Sequence, residues 1–145
     1  RSWLEAREIA FVPLAGNHDP RELVLDATIH EPVMTAEVGD WTIGHGHLPI
    51  RGDRVVSGHH HPVFRFKGMI APCFLVGERR IILPAFSENA AGLDVLTQVA
   101  IIGPDLADSR CLVSTGTEVL DFGPLASLSS RMRGARPFNE RNSGR

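Results

Sequence analysis

The sequence has little cysteine and lacks the patterns that hold disulfide-rich or zinc-stabilised folds together. It contains two cysteines, Cys73 and Cys111, far apart in the chain, and no Cys-x-x-Cys. A disulfide scaffold and a cysteine zinc site are therefore not indicated. Both cysteines lie in apolar runs, and we expect them to be small buried residues without a redox role.

Long hydrophobic runs and an excess of one charge are also missing. No apolar run approaches the roughly 18 residues of a membrane span, and no signal peptide is recognisable. The 15 basic and 17 acidic residues leave a net charge of −2, so we expect no duplex-binding surface over the whole chain. The 43% hydrophobic share is enough for a buried core. We predict a soluble, cytoplasmic protein of one small domain or part of a larger one.

An initiator methionine is absent as well. The sequence starts at Arg1 and runs directly into a short helical pattern over residues 3–8, with no N-cap signal before it. An apolar segment at residues 11–15 then predicts a short buried strand. We expect the chain to be the C-terminal portion of a longer protein.

Glycine and proline are abundant, with 14 and 10 residues, and indicate many turns and short strands. The segment Gly77-Glu78 separates two apolar runs and fits a two-residue type II′ hairpin turn. No long amphipathic helix is predicted after residue 25. Apolar runs bounded by turn residues predict strands over 11–15, 27–29, 33–38, 41–43, 54–57, 63–67, 73–76, 79–84, 93–96, 99–102, 111–114 and 118–120.

Charge divides the chain into two parts. Residues 1–126 are acidic overall, whereas residues 127–145 contain five arginines and one glutamate among serine, glycine and asparagine. We predict that residues 1–126 belong to a folded domain and that residues 127–145 form a basic, disordered tail. A basic tail of this kind is able to contact nucleic acid, although a solvated terminus without a role has the same composition.

The seven histidines carry the chemical information in the sequence, and six of them lie in three clusters beside glycine. The clusters are Gly16-Asn17-His18-Asp19, Gly44-His45-Gly46-His47 and Gly58-His59-His60-His61. Each cluster follows a predicted strand, and loops after strands commonly direct side chains into one crevice. Neutral imidazole is a common ligand of divalent transition metals, and an asparagine oxygen can join it. These clusters predict a metal site, whereas His30 is assigned to a strand end or turn.

The order and spacing of the clusters resemble the second half of the calcineurin-like metallophosphoesterases, over most of residues 10–100. A helical zinc-protease motif, His-Glu-x-x-His, is absent, and the metallo-β-lactamase pattern fails because Leu48-Pro49 follows His47. The resemblance implies an α/β fold, a metallophosphatase-type β-sandwich flanked by helices, represented here by its β-rich C-terminal half. Further stretches are similar to the ligase-associated DNA-damage-response endonucleases, namely Ala71-Pro72-Cys73-Phe74, Leu83-Pro84-Ala85-Phe86 and Gly92-Leu93.

The resemblance also implies a role for each residue of the three clusters. Asn17, His45 and His59 would bind the second of two metal ions, and His61 would bind the first. His18 would lie near the phosphate and protonate the leaving oxygen, with Asp19 orienting its ring. His47 would lie behind the ligands or beside the phosphate, or would be a loop histidine bonded to backbone. His60, between two ligands, would point away from the metals.

A phosphoesterase of this family is a hydrolase that cleaves phosphate mono- or diesters with two divalent ions, Mn, Fe or Zn, which share a bridging hydroxide. Two such ions, about 3.5–4 Å apart, activate water and bind the phosphoryl oxygens for in-line attack. The resemblance therefore implies a phosphate-ester substrate, with nucleic acid among the candidates and DNA-repair endonuclease activity as the finer expectation. It implies no membrane partner.

The carboxylate half of the family pattern is not found before Gly16. An Asp-x-His motif and a Gly-Asp motif should precede it, but Gly39-Asp40 and Gly52-Asp53 come later and are interpreted as turns before strands. We therefore expect residues 1–145 alone to be inactive and to need the N-terminal half of the same domain. Two alternatives stay open: a catalytically incomplete metal-binding or structural module, and a nucleic-acid-binding module that acts through the arginine-rich tail.

Overall fold

A computed structural model describes residues 3, 6–9, 12–19, 32–87, 90–98, 101, 103 and 106–133. The chain forms two compact units, residues 1–59 and residues 60–145. The predicted strand at 27–29 and His30 lie outside the described residues, as does most of the predicted strand at 99–102. Within the described residues, no helix has the length and apolar character needed to cross a membrane.

The first unit contains three short strands, β1 (Thr35–Val38), β2 (Trp41–Gly44) and β3 (Val55–Ser57). β1 pairs with β2 in antiparallel fashion, and β2 pairs with β3 in parallel. Residues 39 and 40 connect β1 to β2, and Gly39 has a φ of 57°. A positive φ at the first of two turn residues is typical of a type II′ turn, which a glycine adopts without strain.

The segment predicted as a strand at residues 11–15 makes a single parallel bridge, between Leu14 and Val33. The Ala15 N–H donates to the Val33 carbonyl at 2.9 Å, and the Val33 N–H donates to the Pro13 carbonyl at 3.0 Å. The predicted strand at 33–38 accordingly becomes a bridge at Val33 followed by β1.

The second unit contains six strands and one helix: β4 (Pro62–Phe66), β5 (Met69–Val76), β6 (Arg80–Ile82), β7 (Leu93–Asp94), β8 (Arg110–Ser114), β9 (Val119–Pro124) and α1 (Leu125–Arg133). The eight-residue β5 organises the sheet. Its first half pairs with β4, and its second half pairs with β6 and β8, all antiparallel. β7 extends the sheet beside β4 in parallel, and β9 extends it beside β8 in antiparallel fashion.

The type II′ turn predicted at Gly77-Glu78 is wrong, although the hairpin itself is confirmed. Residues 77–79 separate β5 from β6, and Gly77 donates its N–H to the Arg80 carbonyl at 2.7 Å. Gly77 is absent from the described glycines that have a positive φ. A Cβ at this position would lie 2.8 Å from the Ser109 hydroxyl oxygen. The glycine is therefore required by close packing against Ser109 rather than by turn geometry.

The core of the second unit lies where β4, β5, β6 and β8 meet α1. Phe64 stacks on Phe122 with ring centroids 4.6 Å apart. Cys73 and Cys111 are free, fully buried thiols, which confirms the expected burial. The hydrogen bond with Cys111, together with burial, raises the pKa of the Cys73 thiol far above its usual range. Among the described residues, the fully buried core side chains are Phe64, Cys73, Leu75, Ile82, Val95, Leu106, Cys111 and Leu128.

The predicted disordered tail is wrong over residues 127–133, because α1 covers them. The helix is anchored by Leu125 and Leu128, one turn apart on one face and both in the core. Its first N–H groups donate to carbonyls of the loop before β8, Leu125 to Ser109 at 3.0 Å and Ala126 to Ala107 at 2.9 Å. Serine and arginine make up five of its nine residues, so the sequence does not predict a helix here. Residues 134–145 lie outside the described part of the chain.

Leu128 should stabilise the second unit far more than an exposed leucine does. We expect Leu128→Ala to lower the free energy of unfolding by about 2–5 kcal/mol, because it leaves a cavity in a closed core. The matched control is Leu120→Ala, whose side chain is 42% exposed. Urea denaturation measures both, and equal losses would contradict the placement of α1 against the core.

Asp121 should make stability depend on pH. Its pKa lies below the usual range because Arg110 donates to the carboxylate and the Gly123 N–H donates to it as well. A depressed carboxyl stabilises the fold above its unfolded pKa of about 3.9 and loses that effect as the pH falls through the folded value.

We therefore expect Asp121→Asn to lower the Tm at pH 7, with a difference from wild type that shrinks toward zero below pH 4. The control is Asp108→Asn, which removes an exposed carboxylate from the same unit. A Tm difference for Asp121→Asn that is constant between pH 2 and pH 7 would exclude the ion pair as its cause.

Candidate active site

The parallel pairing of β2 with β3 brings two of the histidine clusters together. Gly44, the last residue of β2, lies opposite Ser57, the last residue of β3. The next residue in each strand therefore starts a loop at the same edge of the sheet. The His45 carbonyl accepts the N–H groups of Gly58 at 3.1 Å and of His59 at 2.9 Å. These bonds fix the start of the second loop directly against the start of the first.

Three imidazole rings converge at this edge. The His45 ring centroid lies 5.1 Å from that of His47 and 5.0 Å from that of His59, and the centroids of His47 and His59 are 6.3 Å apart. The Nδ1 atoms of His45 and His47 are 3.1 Å apart. A ring nitrogen of His47 thus lies against the His45 imidazole, and the role of His47 stays a prediction.

Gly46 permits this convergence. It has a φ of 101°, a conformation that residues with a side chain rarely adopt. A Cβ at Gly46 would lie 2.9 Å from the Cβ of Ser57 and 3.4 Å from the Cβ of His59. The glycine between the two histidines is therefore needed both for the bend of the loop and for its close approach to the end of β3.

Gly16, the first residue of the cluster that contains Asn17, His18 and Asp19, lies against the His45 ring. A Cβ at Gly16 would lie 3.0 Å from Cδ2 and 3.2 Å from Nε2 of His45, so the His45 ring packs directly on this glycine. The Asp19 carboxylate accepts the Gly16 N–H at 2.6 Å and closes the loop. The predicted use of Asp19 to orient His18 stays a prediction.

His18 and Asn17 face one another, with the Asn17 amide nitrogen 3.1 Å from Nε2 of His18. An amide nitrogen only donates, so Nε2 of His18 is the acceptor and its proton is assigned to Nδ1. This contact involves the amide nitrogen of Asn17 and not its carbonyl oxygen. Both side chains are exposed.

His61 directly precedes β4 and has a left-handed φ of 46°. Its carbonyl accepts the Leu93 N–H at 3.1 Å, which joins the start of β4 to β7. A Cβ at Gly92 would lie 2.7 Å from that carbonyl oxygen. A glycine at this position therefore permits close packing against His61. The assignment of His61 as a ligand of the first metal stays a prediction.

Imidazole nitrogen and carboxamide oxygen are ligand types that divalent metals accept, but the described residues form no complete ligand set. Across the described residues, no group of three or more His, Cys, Asp or Glu is arranged to hold an ion. The ligand roles of Asn17, His45 and His59 accordingly stay predictions.

A small cavity beside the histidines was not foreseen from the sequence. It has a volume of about 120 Å³, and His45 and His47 form part of its lining. Its other side chains are mostly apolar: Ala15, Met34, Thr35, Leu48, Pro49 and Ile50. Leu48 and Pro49 follow a histidine cluster and Met34 falls in the predicted strand at 33–38, and no sequence pattern indicates that these residues lie together.

The crystal structure of the Pseudomonas putida nuclease MPE is similar to this chain. The two are 25% identical with a TM-score of 0.57, and the match covers 83% of this chain and 58% of that chain. The chain thus spans less than two thirds of the length of that nuclease. No family model matches the sequence, and no curated protein matches it significantly. The chain has the β-rich α/β fold expected of the C-terminal half of a metallophosphatase-type domain.

Gly46 provides a direct test of the histidine loop. We expect Gly46→Ala to lower the free energy of unfolding by about 1–3 kcal/mol, because an added Cβ is strained at this φ and contacts Ser57. Gly58→Ala is the matched control, since a Cβ there meets nothing within 4 Å. Urea denaturation compares the two variants, and an unperturbed Gly46→Ala would contradict the described loop.

Proposed function

We propose that the protein containing this chain is a metal-dependent phosphoesterase, and that it acts as a nuclease. The observation that carries the proposal is the convergence of His45, His47 and His59 at the ends of two parallel strands, with the Gly16 loop packed on His45. The similarity to a protein described as a nuclease supports the same class. A more specific role, as an endonuclease in DNA repair, is supported only by the sequence resemblance to the ligase-associated DNA-damage-response endonucleases.

In the proposed site, the metal ions and the residues of the three clusters have separate tasks. Two divalent ions, Mn, Fe or Zn, would supply an activated water and neutralise charge on the phosphoryl oxygens. His45 and His59 would hold one ion together with the Asn17 oxygen, and His61 would contribute to the other. The imidazole ligands are neutral, so they leave most of the ions' positive charge to act on the phosphate.

His18 would serve as the general acid for the leaving oxygen. To do so it would act as the imidazolium, transfer one proton to the leaving alkoxide and return to the neutral ring, whose Nε2 accepts the Asn17 amide N–H. Asp19 holds the loop closed through the Gly16 N–H and thereby keeps His18 near its place.

The carboxylate ligands would come from outside residues 1–145, since no Asp-x-His or Gly-Asp motif precedes Gly16. A bridging carboxylate is central to a two-metal site, so we expect residues 1–145 alone to show no measurable esterase activity with Mn²⁺. Hydrolysis of bis(4-nitrophenyl) phosphate by residues 1–145, at the rate of the complete protein, would contradict this assignment.

Replacement of His59 tests the proposed function. In the complete protein, His59→Ala should lower Mn²⁺-dependent hydrolysis of bis(4-nitrophenyl) phosphate by at least about 100-fold, because a ligand is lost. His60→Ala is the matched control: it removes the neighbouring imidazole and should retain most of the activity. Unchanged turnover by His59→Ala, or an equal loss in both variants, would refute the role of His59.

A further inference from the structure

The cavity next to His45 and His47 has the character of a binding site for part of a substrate. Its volume of about 120 Å³ compares with the roughly 150 Å³ of an engineered apolar cavity that holds one benzene ring. Its wall is mostly apolar, and two imidazoles border it. A site of this size and lining accommodates one flat ring and offers little to a charged group.

Two large apolar side chains at this cavity are left in water. Met34 is 52% exposed and Leu48 is 55% exposed, although both line the cavity. An isolated exposed apolar side chain has no special meaning, but a pair beside a cavity and a group of histidines offers contact area to a ligand. A ring that enters the cavity would cover both side chains and recover this hydrophobic area.

The wall of the cavity is also fixed relative to the histidines. A Cβ at Gly44 would lie 2.8 Å from Cδ1 and 3.1 Å from Cγ1 of Ile50, so the Ile50 side chain packs on the residue that precedes His45. The absence of a side chain at Gly44 therefore places an apolar surface directly next to the imidazole pair. This coupling gives the cavity a defined position beside the candidate phosphate site.

We propose that this cavity binds a single-ring nucleobase of the substrate, of pyrimidine size, and makes the enzyme favour nucleotide esters over esters without a base. The inference rests on the proposed function, because the ring would enter beside the phosphate held near the histidines. Contact of a flat ring with apolar side chains and imidazole edges supplies the recognition. Met34, Leu48 and Ile50 would determine the preference for a substrate that carries a base.

The test measures binding to the full chain without relying on turnover. Thymidine 5′-monophosphate and deoxyribose 5-phosphate differ only by the base, and methyl NMR of Met34 and Ile50 reports where the base lies. We expect the nucleotide to bind about tenfold more tightly, within the range that base stacking on side chains supports, with shifts at both methyl groups. Equal affinities, or shifts confined to other residues, would overturn the proposal.

Two variants and a control sharpen the result. Ile50→Phe fills the cavity and Leu48→Ala removes contact area from an exposed position, and each should reduce the preference for the nucleotide to about threefold or less. Leu120→Ala removes the same atoms as Leu48→Ala from a side chain outside the cavity lining, and should leave the preference intact. An equal loss in Leu48→Ala and Leu120→Ala would overturn the assignment.

Hydrolysis assays separate this inference from the proposed function. If the complete protein cleaves a thymidine dinucleotide and its base-free analogue at equal rates, the base site is refuted and the phosphoesterase activity stands. If the base preference in binding is found but neither ester is cleaved, the cavity is a nucleotide site and the proposed activity is refuted.

Discussion

The parallel pairing of β2 with β3 is the interaction on which the candidate site depends. It sets the last residues of the two strands opposite one another and joins the loops that follow through the His45 carbonyl. Because both loops begin at the same ends of the paired strands, the ring centroids of His45, His47 and His59 lie 5.0–6.3 Å apart. A shift of one residue in this pairing would turn the loops apart.

The site also requires glycine at three positions close to the histidine rings, because a side chain at any of them would collide with a neighbouring residue. Gly16 admits the His45 ring, Gly46 allows the loop to bend against Ser57, and Gly44 admits Ile50. Each position would place a Cβ within 3.0 Å of a neighbouring atom. Close backbone approach at these glycines therefore positions both the group of histidines and the apolar cavity.

Sequence periodicity predicted the strands better than the turns and the terminus. The strand at Trp41 and the loops after β2 and β3 followed from apolar runs that end in glycine and histidine, so the convergence could be anticipated. The turn at Gly77 could not be anticipated, because this glycine is required by close packing against Ser109, which is distant in the sequence. Nor could α1, whose polar sequence is held by Leu125 and Leu128 in the core. The cavity is lined by three segments, around Ala15, Met34 and Ile50, and no local sequence pattern indicates that these segments lie together.

Histidines from two separate loops are proposed to bind one ion, and imidazole ¹⁵N NMR during titration of the full chain with Zn²⁺ tests this proposal. We expect the rings of His45 and His59 to respond together, at the same metal concentration, while the ring of His60 does not. Responses of His45 and His59 at different metal concentrations, or a response spread evenly over all histidines, would contradict it.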